Sequence, residues 1–246
     1  MARPHEIAAR LLDSGWVQAP REKLRRQWEA EWFATGMRAL TLARPRAQGF
    51  AAAPADPRPI DPQVGAEILA GTFAFAGSSL SIGPDADPWD MASPTRRFAV
   101  RLHRCDWLPD LVVVGPEGAR RAVRLVLDWR RAFGGWNDFS WSDEVIERRV
   151  FNLARVGKRL TEAASDAETA MLADALARQA RHLLRLRHGP ARASERAAAA
   201  ALAGAVLAGP AGEKLMARAL QRLHRTLPET VLPDGGHASR SPEAGL

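Results

Sequence analysis

PEGARRAVRLVLDWRRAFGGWNDFSWSDEVIERRVFNLARVGKRL, Pro116 to Leu160, carries two helical periodicities separated by a glycine-opened break. In the first, Ala122, Leu125, Val126, Trp129 and Phe133 fall on one face behind the start signal Gly115-Pro116. In the second, Ile146, Val150, Leu153, Gly157 and Leu160 do the same from Ser142 onward. Two amphipathic helices with so short a connection predict an antiparallel helical hairpin. The pattern continues toward the C-terminus, with helices expected from Asp166 to His188, Ser194 to Leu207 and Gly212 to about Leu227. Ser165-Asp166-Ala167-Glu168 fits a capping box. No fixed period marks a helical repeat, so the array predicts a bundle or an α/α toroid.

Toward the N-terminus, Leu24, Trp28, Trp32, Met37 and Leu40 recur at helical spacing between Pro20 and Ala43. Arg44 to Pro62 holds five prolines and reads as an irregular arm. Asp61-Pro62 opens a short helix that Gly71 closes. Thr72 to Ile82, TFAFAGSSLSI, alternates on both sides of Gly77-Ser78 and predicts a β-hairpin. Ser93-Pro94 repeats the cap-then-proline start. The expected organisation is 1–43 N-terminal amphipathic helices, 44–92 arm with short helix and hairpin, 93–232 helical array, and 233–246 loop and tail.

The chain has 246 residues, is 46% hydrophobic and 26% charged, and is long enough to bury a core. Its net charge of +7 comes from arginine: only Lys23, Lys158 and Lys214 are lysines among 35 basic residues. Those arginines are mixed with Glu and Asp along helices, the pattern of solvated faces, which disfavours nucleic acid as a partner. One cysteine, Cys105, excludes an internal disulfide and a cysteine-rich zinc site. No apolar run suits a signal peptide or a membrane span, so a cytoplasmic chain without membrane association is expected. No cofactor or metal motif occurs.

Two stretches are candidates for chemistry. Five of the eight tryptophans lie between Pro88 and Phe151: Trp89, Trp107, Trp129, Trp136 and Trp141. Rings at loop mouths act as core plugs or as platforms for flat ligands. The cluster from Phe133 to Trp141 combines four aromatics with polar side chains behind two glycines, so Trp136, Asn137 and Trp141 are expected to bind ligand. Arg149, at the edge of an apolar stripe, is either a snorkelling or salt-bridged arginine or an anion-binding one, and its neighbour Arg148 shares the last option. The other stretch is Asp234-Gly235-Gly236, a tight turn that presents His237, Ser239 and Arg240. His103, His182, His188 and His224 have no partners at ligand spacing and are expected to be filler.

The order PWD (Pro88–Asp90), LHRCDWLPDL (Leu102–Leu111), LDW (Leu127–Trp129), RQARHL (Arg178–Leu183) and LPDGGHASRSP (Leu232–Pro242) resembles the N-terminal half of bacterial heparinase II/III family proteins. The resemblance runs from about Trp28 to the end of the chain. It implies an all-α, incomplete (α/α) toroid without the family's C-terminal β-sandwich. It also implies a truncated, weakly active or inactive lyase that cleaves uronic-acid polysaccharide by β-elimination. His237 is then the base and Arg240 the carboxylate partner, with Ser239, Arg148, Arg149, Trp136, Asn137 and Trp141 lining the groove. The sandwich would come from another chain or from downstream sequence, and family members are often periplasmic. Without it, Met216, Leu220, Leu223 and Leu227 are expected to lie bare and favour self-association, with a poorly ordered tail after Pro233. The chain departs from the family's pattern: it has no tyrosine, and Ala244 stands roughly where the family's catalytic tyrosine is expected. The family's active-site asparagine is also missing from Arg187 to Ala200. A non-catalytic glycan-binding or scaffolding domain is therefore the alternative, and a basic nucleic-acid-binding protein the third.

Overall fold

A computed structural model describes residue 31 and residues 35–187 and 192–238. After α1 (Gly36–Leu42) and the arm, α2 (Pro62–Leu69) starts where Asp61 Oδ1 accepts from Gln63 N at 2.9 Å with proline in the first turn. Strands β1 (Thr72–Phe75) and β2 (Ser78–Ser81) form the expected antiparallel hairpin, with Phe73 opposite Leu80. A single 3-10 turn at Pro88–Asp90 precedes α3 (Arg96–His103). The cap of α3 is Thr95, whose hydroxyl accepts from Phe98 N at 3.1 Å, two residues later than the expected Ser93 start. Then come α4 (Leu108–Val113), α5 (Pro116–Phe133), α6 (Asp143–Leu160), α7 (Asp166–Leu183), α8 (Ala193–Val206) and α9 (Gly209–Thr230). The capping box at Ser165 and Glu168 forms in both directions.

Two helix ends differ from expectation. Helix α7 stops at Leu183, before His188, because Arg185 N and Leu186 N bond three residues back and tighten the last turn. Helix α9 runs through Pro228 and does not end before it. So close to the end, the proline removes one bond, and Thr230 Oγ1 donates to the carbonyl of Thr226 at 3.1 Å.

The long helices pack in two layers. Helices α5, α7 and α9 touch in sequence, α6 touches α8, and each inner helix contacts its chain neighbours. Helix α6 buries residues on most of its circumference, and α8 does so with alanines, so these two form the inner layer. Helices α8 and α9 approach most closely at Gly204, where an added Cβ would lie 2.4 Å from Met216 N. The hairpin is tied to the helices by Phe73, which packs edge-on to Trp107. On α9, Leu220 and Leu227 are exposed, as expected for that face, whereas Met216 and Leu223 are half-buried. No helix among the described residues is long and apolar enough to cross a membrane.

Candidate functional site

The tryptophans between Pro88 and Phe151 divide by burial. Trp89, Trp107, Trp129 and Trp141 are buried, and each indole N–H finds an acceptor: Leu125 O, Leu102 O, His103 Nδ1 and Phe133 O respectively, at 2.9–3.2 Å. Trp141 is 5% exposed, with its ring edge-on to His182 at 5.1 Å. This corrects the expectation of a ligand platform there, since a ring so enclosed offers no face to a sugar. Trp136 is only half-buried and rests against the core.

The loop between α5 and α6 is held from within. Asn137 Oδ1 accepts from Ser140 N at 2.7 Å, its Nδ2 meets Ser140 Oγ at 2.6 Å, and Ser142 Oγ donates to Phe139 O at 2.8 Å. The amide of Asn137 is thus used in turn formation, a role the ligand-binding expectation did not include.

Below the loop, Arg149 is fully buried, which corrects its expected place along a groove. Its guanidinium donates to Gln179 Oε1 (2.6 Å), His103 O (2.9 Å) and Ser140 O (2.7 Å), and lies 3.9 Å above the Trp129 ring. All three acceptors are neutral, so burial pulls its pKa down to about 9. One side chain therefore ties the α5–α6 loop to α3 and α7. Arg148, next on α6, is half-buried. His103 lies in the same knot, edge-on to Trp89, Phe133 and Phe139 at 4.7–5.1 Å. Burial and the Arg149 charge lower its pKa to about 3.

Asp234, Gly235 and Gly236 form the expected turn. Gly235 has φ +80°, Gly236 N donates to Asp234 Oδ1 at 2.8 Å, and Leu232 N donates to Gly236 O at 2.8 Å. Val231 and His237 pair across it, and Ala238 N donates to Thr230 O. Ser239, Arg240 and Ala244 lie outside the described residues, as do His188 and the expected helix residues Leu24, Trp28 and Trp32.

The histidine of the DGGH turn reaches the start of α8. His237 Nε2 stands 2.7 Å from Glu195 Oε1 in the first turn of α8, and Ser194 Oγ is 2.5 Å from Thr230 Oγ1. One turn away, Arg192 pairs with Glu147 at 2.7 Å. Arg196 reaches Asp143 at 3.4 Å, two residues after Trp141. Glu147 is the strongest perturbation on Arg192 and raises its pKa. Burial lowers that of Arg196. The result is a run of alternating charges over the N-termini of α6 and α8, with a carboxylate-held imidazole at one end. No group of three or more His, Cys, Asp or Glu among the described residues is placed to hold a metal ion. Asp143, Glu147, Arg192, Glu195 and Arg196 were not singled out from sequence, because their partners stand 42–53 positions away.

No family model matches the chain. The crystal structure of heparan sulfate lyase HepC from Pedobacter heparinus superposes with a TM-score of 0.60 over 92% of this chain and 39% of that one, at 19% identity. The fold is heparinase-like. FtsZ-localized protein C of Caulobacter vibrioides (strain NA1000 / CB15N) is 58% identical over 218 residues, 89% of this chain. The chain spans 38% of that curated relative's length.

Proposed function

We propose that this chain is a helical module of heparinase-like fold that accompanies FtsZ and binds a protein partner without cleaving glycan. The observation that carries the proposal is the 58% identity, over 89% of the chain, to a protein named for its localization with FtsZ. The helix ends carry the ion pairs Arg192–Glu147, Arg196–Asp143 and His237–Glu195. β-Elimination needs a positioned proton donor, a group that contributes about 10²–10⁴-fold. The chain contains no tyrosine.

A second proposal, weak lyase activity on an anionic polysaccharide, is favoured by the His237–Glu195 contact. A carboxylate can hold an imidazole in place as a base. Arg240 would then neutralise the uronate. Imaging a fluorescent fusion of the chain alongside tagged FtsZ tests the first proposal. Coincident signals are expected. A diffuse signal from a folded fusion overturns it.

A further inference from the structure

On the outer layer, α7 and α9 border a recess of about 250 Å³ beneath the arm at Pro45. Arg181, Arg185, Lys214, Arg218, Arg222 and Arg225 line it, and among the described residues no carboxylate does. Ordinary solvated faces of this chain mix both signs, so six cations around so small a volume are exceptional. Arg181 is the decisive residue. It is 8% exposed, and NH1 donates to Pro45 O at 2.5 Å. Its Nε and NH2 are buried with no hydrogen-bond partner. Asp174 lies near enough to act electrostatically on Arg181 but makes no ion pair with it, and Arg178, Arg185 and Arg218 oppose the charge.

Two buried, unbonded guanidinium nitrogens on a side chain that borders a recess call for an acceptor. Their parallel geometry suits two oxygens of one oxyanion. Gathering six cations requires more than one negative charge in return, which favours phosphate over a single carboxylate. Leu184, Leu215 and Pro45 give the recess apolar walls, room for a small organic group beside the anion.

We propose that this recess binds a phosphate group, with Arg181 of α7, Arg185 in the turn after it, which also donates to Thr41, and Arg218 of α9 holding the oxygens of a phosphorylated small molecule. The site is independent of the FtsZ proposal, since none of these three residues belongs to the charged cluster.

Thermal unfolding of the full chain tests it with inorganic pyrophosphate as probe, against sodium chloride at matched ionic strength. Pyrophosphate is expected to raise Tm saturably, by roughly 5–10 °C at about a hundredfold excess over Kd. Arg181→Met removes the shift. Where that variant does not fold, Arg185→Ala and Arg218→Ala, at more accessible positions, weaken pyrophosphate binding at least tenfold. Arg96→Ala with Arg97→Ala, on another surface, leaves it unchanged. Flotation with phosphatidylcholine vesicles carrying phosphatidic acid separates the sources of the phosphate. Flotation lost in Arg185→Ala assigns a lipid headgroup, and saturation by pyrophosphate without flotation assigns a free phosphate ester. A Tm that rises no more than in chloride, or a shift that survives Arg185→Ala and Arg218→Ala, overturns the site.

Discussion

Lowering the pH should destabilise this protein through His103, ahead of its paired carboxylates. The imidazole is 6% exposed, ringed by Trp89, Phe133 and Phe139, and accepts from Trp129 Nε1 at 3.2 Å. Burial first, and the Arg149 guanidinium second, hold its pKa at about 3 against 6.5 for the unfolded chain. The folded value is the lower one, so on acidification the unfolded state takes up the proton first. Stability is full above about pH 6.5 and falls steadily toward pH 3. At about pH 4.5 the difference is roughly two pH units at about 1.4 kcal/mol each, a loss of about 3 kcal/mol. His103→Gln keeps an acceptor for Trp129 and cannot titrate. Glu168, held down to about 2 by Arg120, loses its contribution only at lower pH. Asp87 and Asp110, raised chiefly by burial, act in the opposite sense. These carboxylates are common to both proteins and cancel in the difference. Urea unfolding followed by tryptophan fluorescence at about pH 7 and 4.5 should therefore show the parent losing about 3 kcal/mol more than His103→Gln. Equal losses would refute the buried, neutral imidazole.

Trp141→Ala should cost about 3–5 kcal/mol, as for a buried aromatic, and the half-buried Trp136→Ala about 1–2 kcal/mol, read from urea midpoints. Similar costs would contradict the assigned burial. Gly204→Ala should destabilise by roughly 1–3 kcal/mol despite better helix propensity, because its Cβ meets the backbone of Met216 at 2.4 Å. Gly135→Ala, with nothing within 4 Å, should change the melting temperature little.

Helix starts were legible where a local chemical signal exists. Asp61 with Pro62, Ser165 with Glu168, and Gly115 with Pro116 all mark observed N-termini. The alternation of Phe73 and Phe75 marked the hairpin because a strand's faces follow from sequence alone. Burial of loop residues is different. Whether Trp141 plugs or protrudes depends on His182, 41 positions later, and no spacing rule connects them. Arg149 read as a choice between a snorkelling or paired arginine and an anion site, and it is neither. Its partners are two carbonyls and an amide from three separate segments. The DGGH turn was legible as a turn because glycine tolerates φ +80° at Gly235. That its histidine faces Glu195 follows only from the packing of α9 along α8.

The proposal that the chain does not cleave glycan is tested most directly by incubating it with heparan sulfate, hyaluronan, alginate and polygalacturonate while following the ultraviolet absorbance of unsaturated uronate. The expected result is a trace indistinguishable from the protein-free blank for all four, with parent and His237→Ala alike. A steady rise with the parent that disappears in His237→Ala would contradict it and make the His237–Glu195 pair the centre of a working lyase.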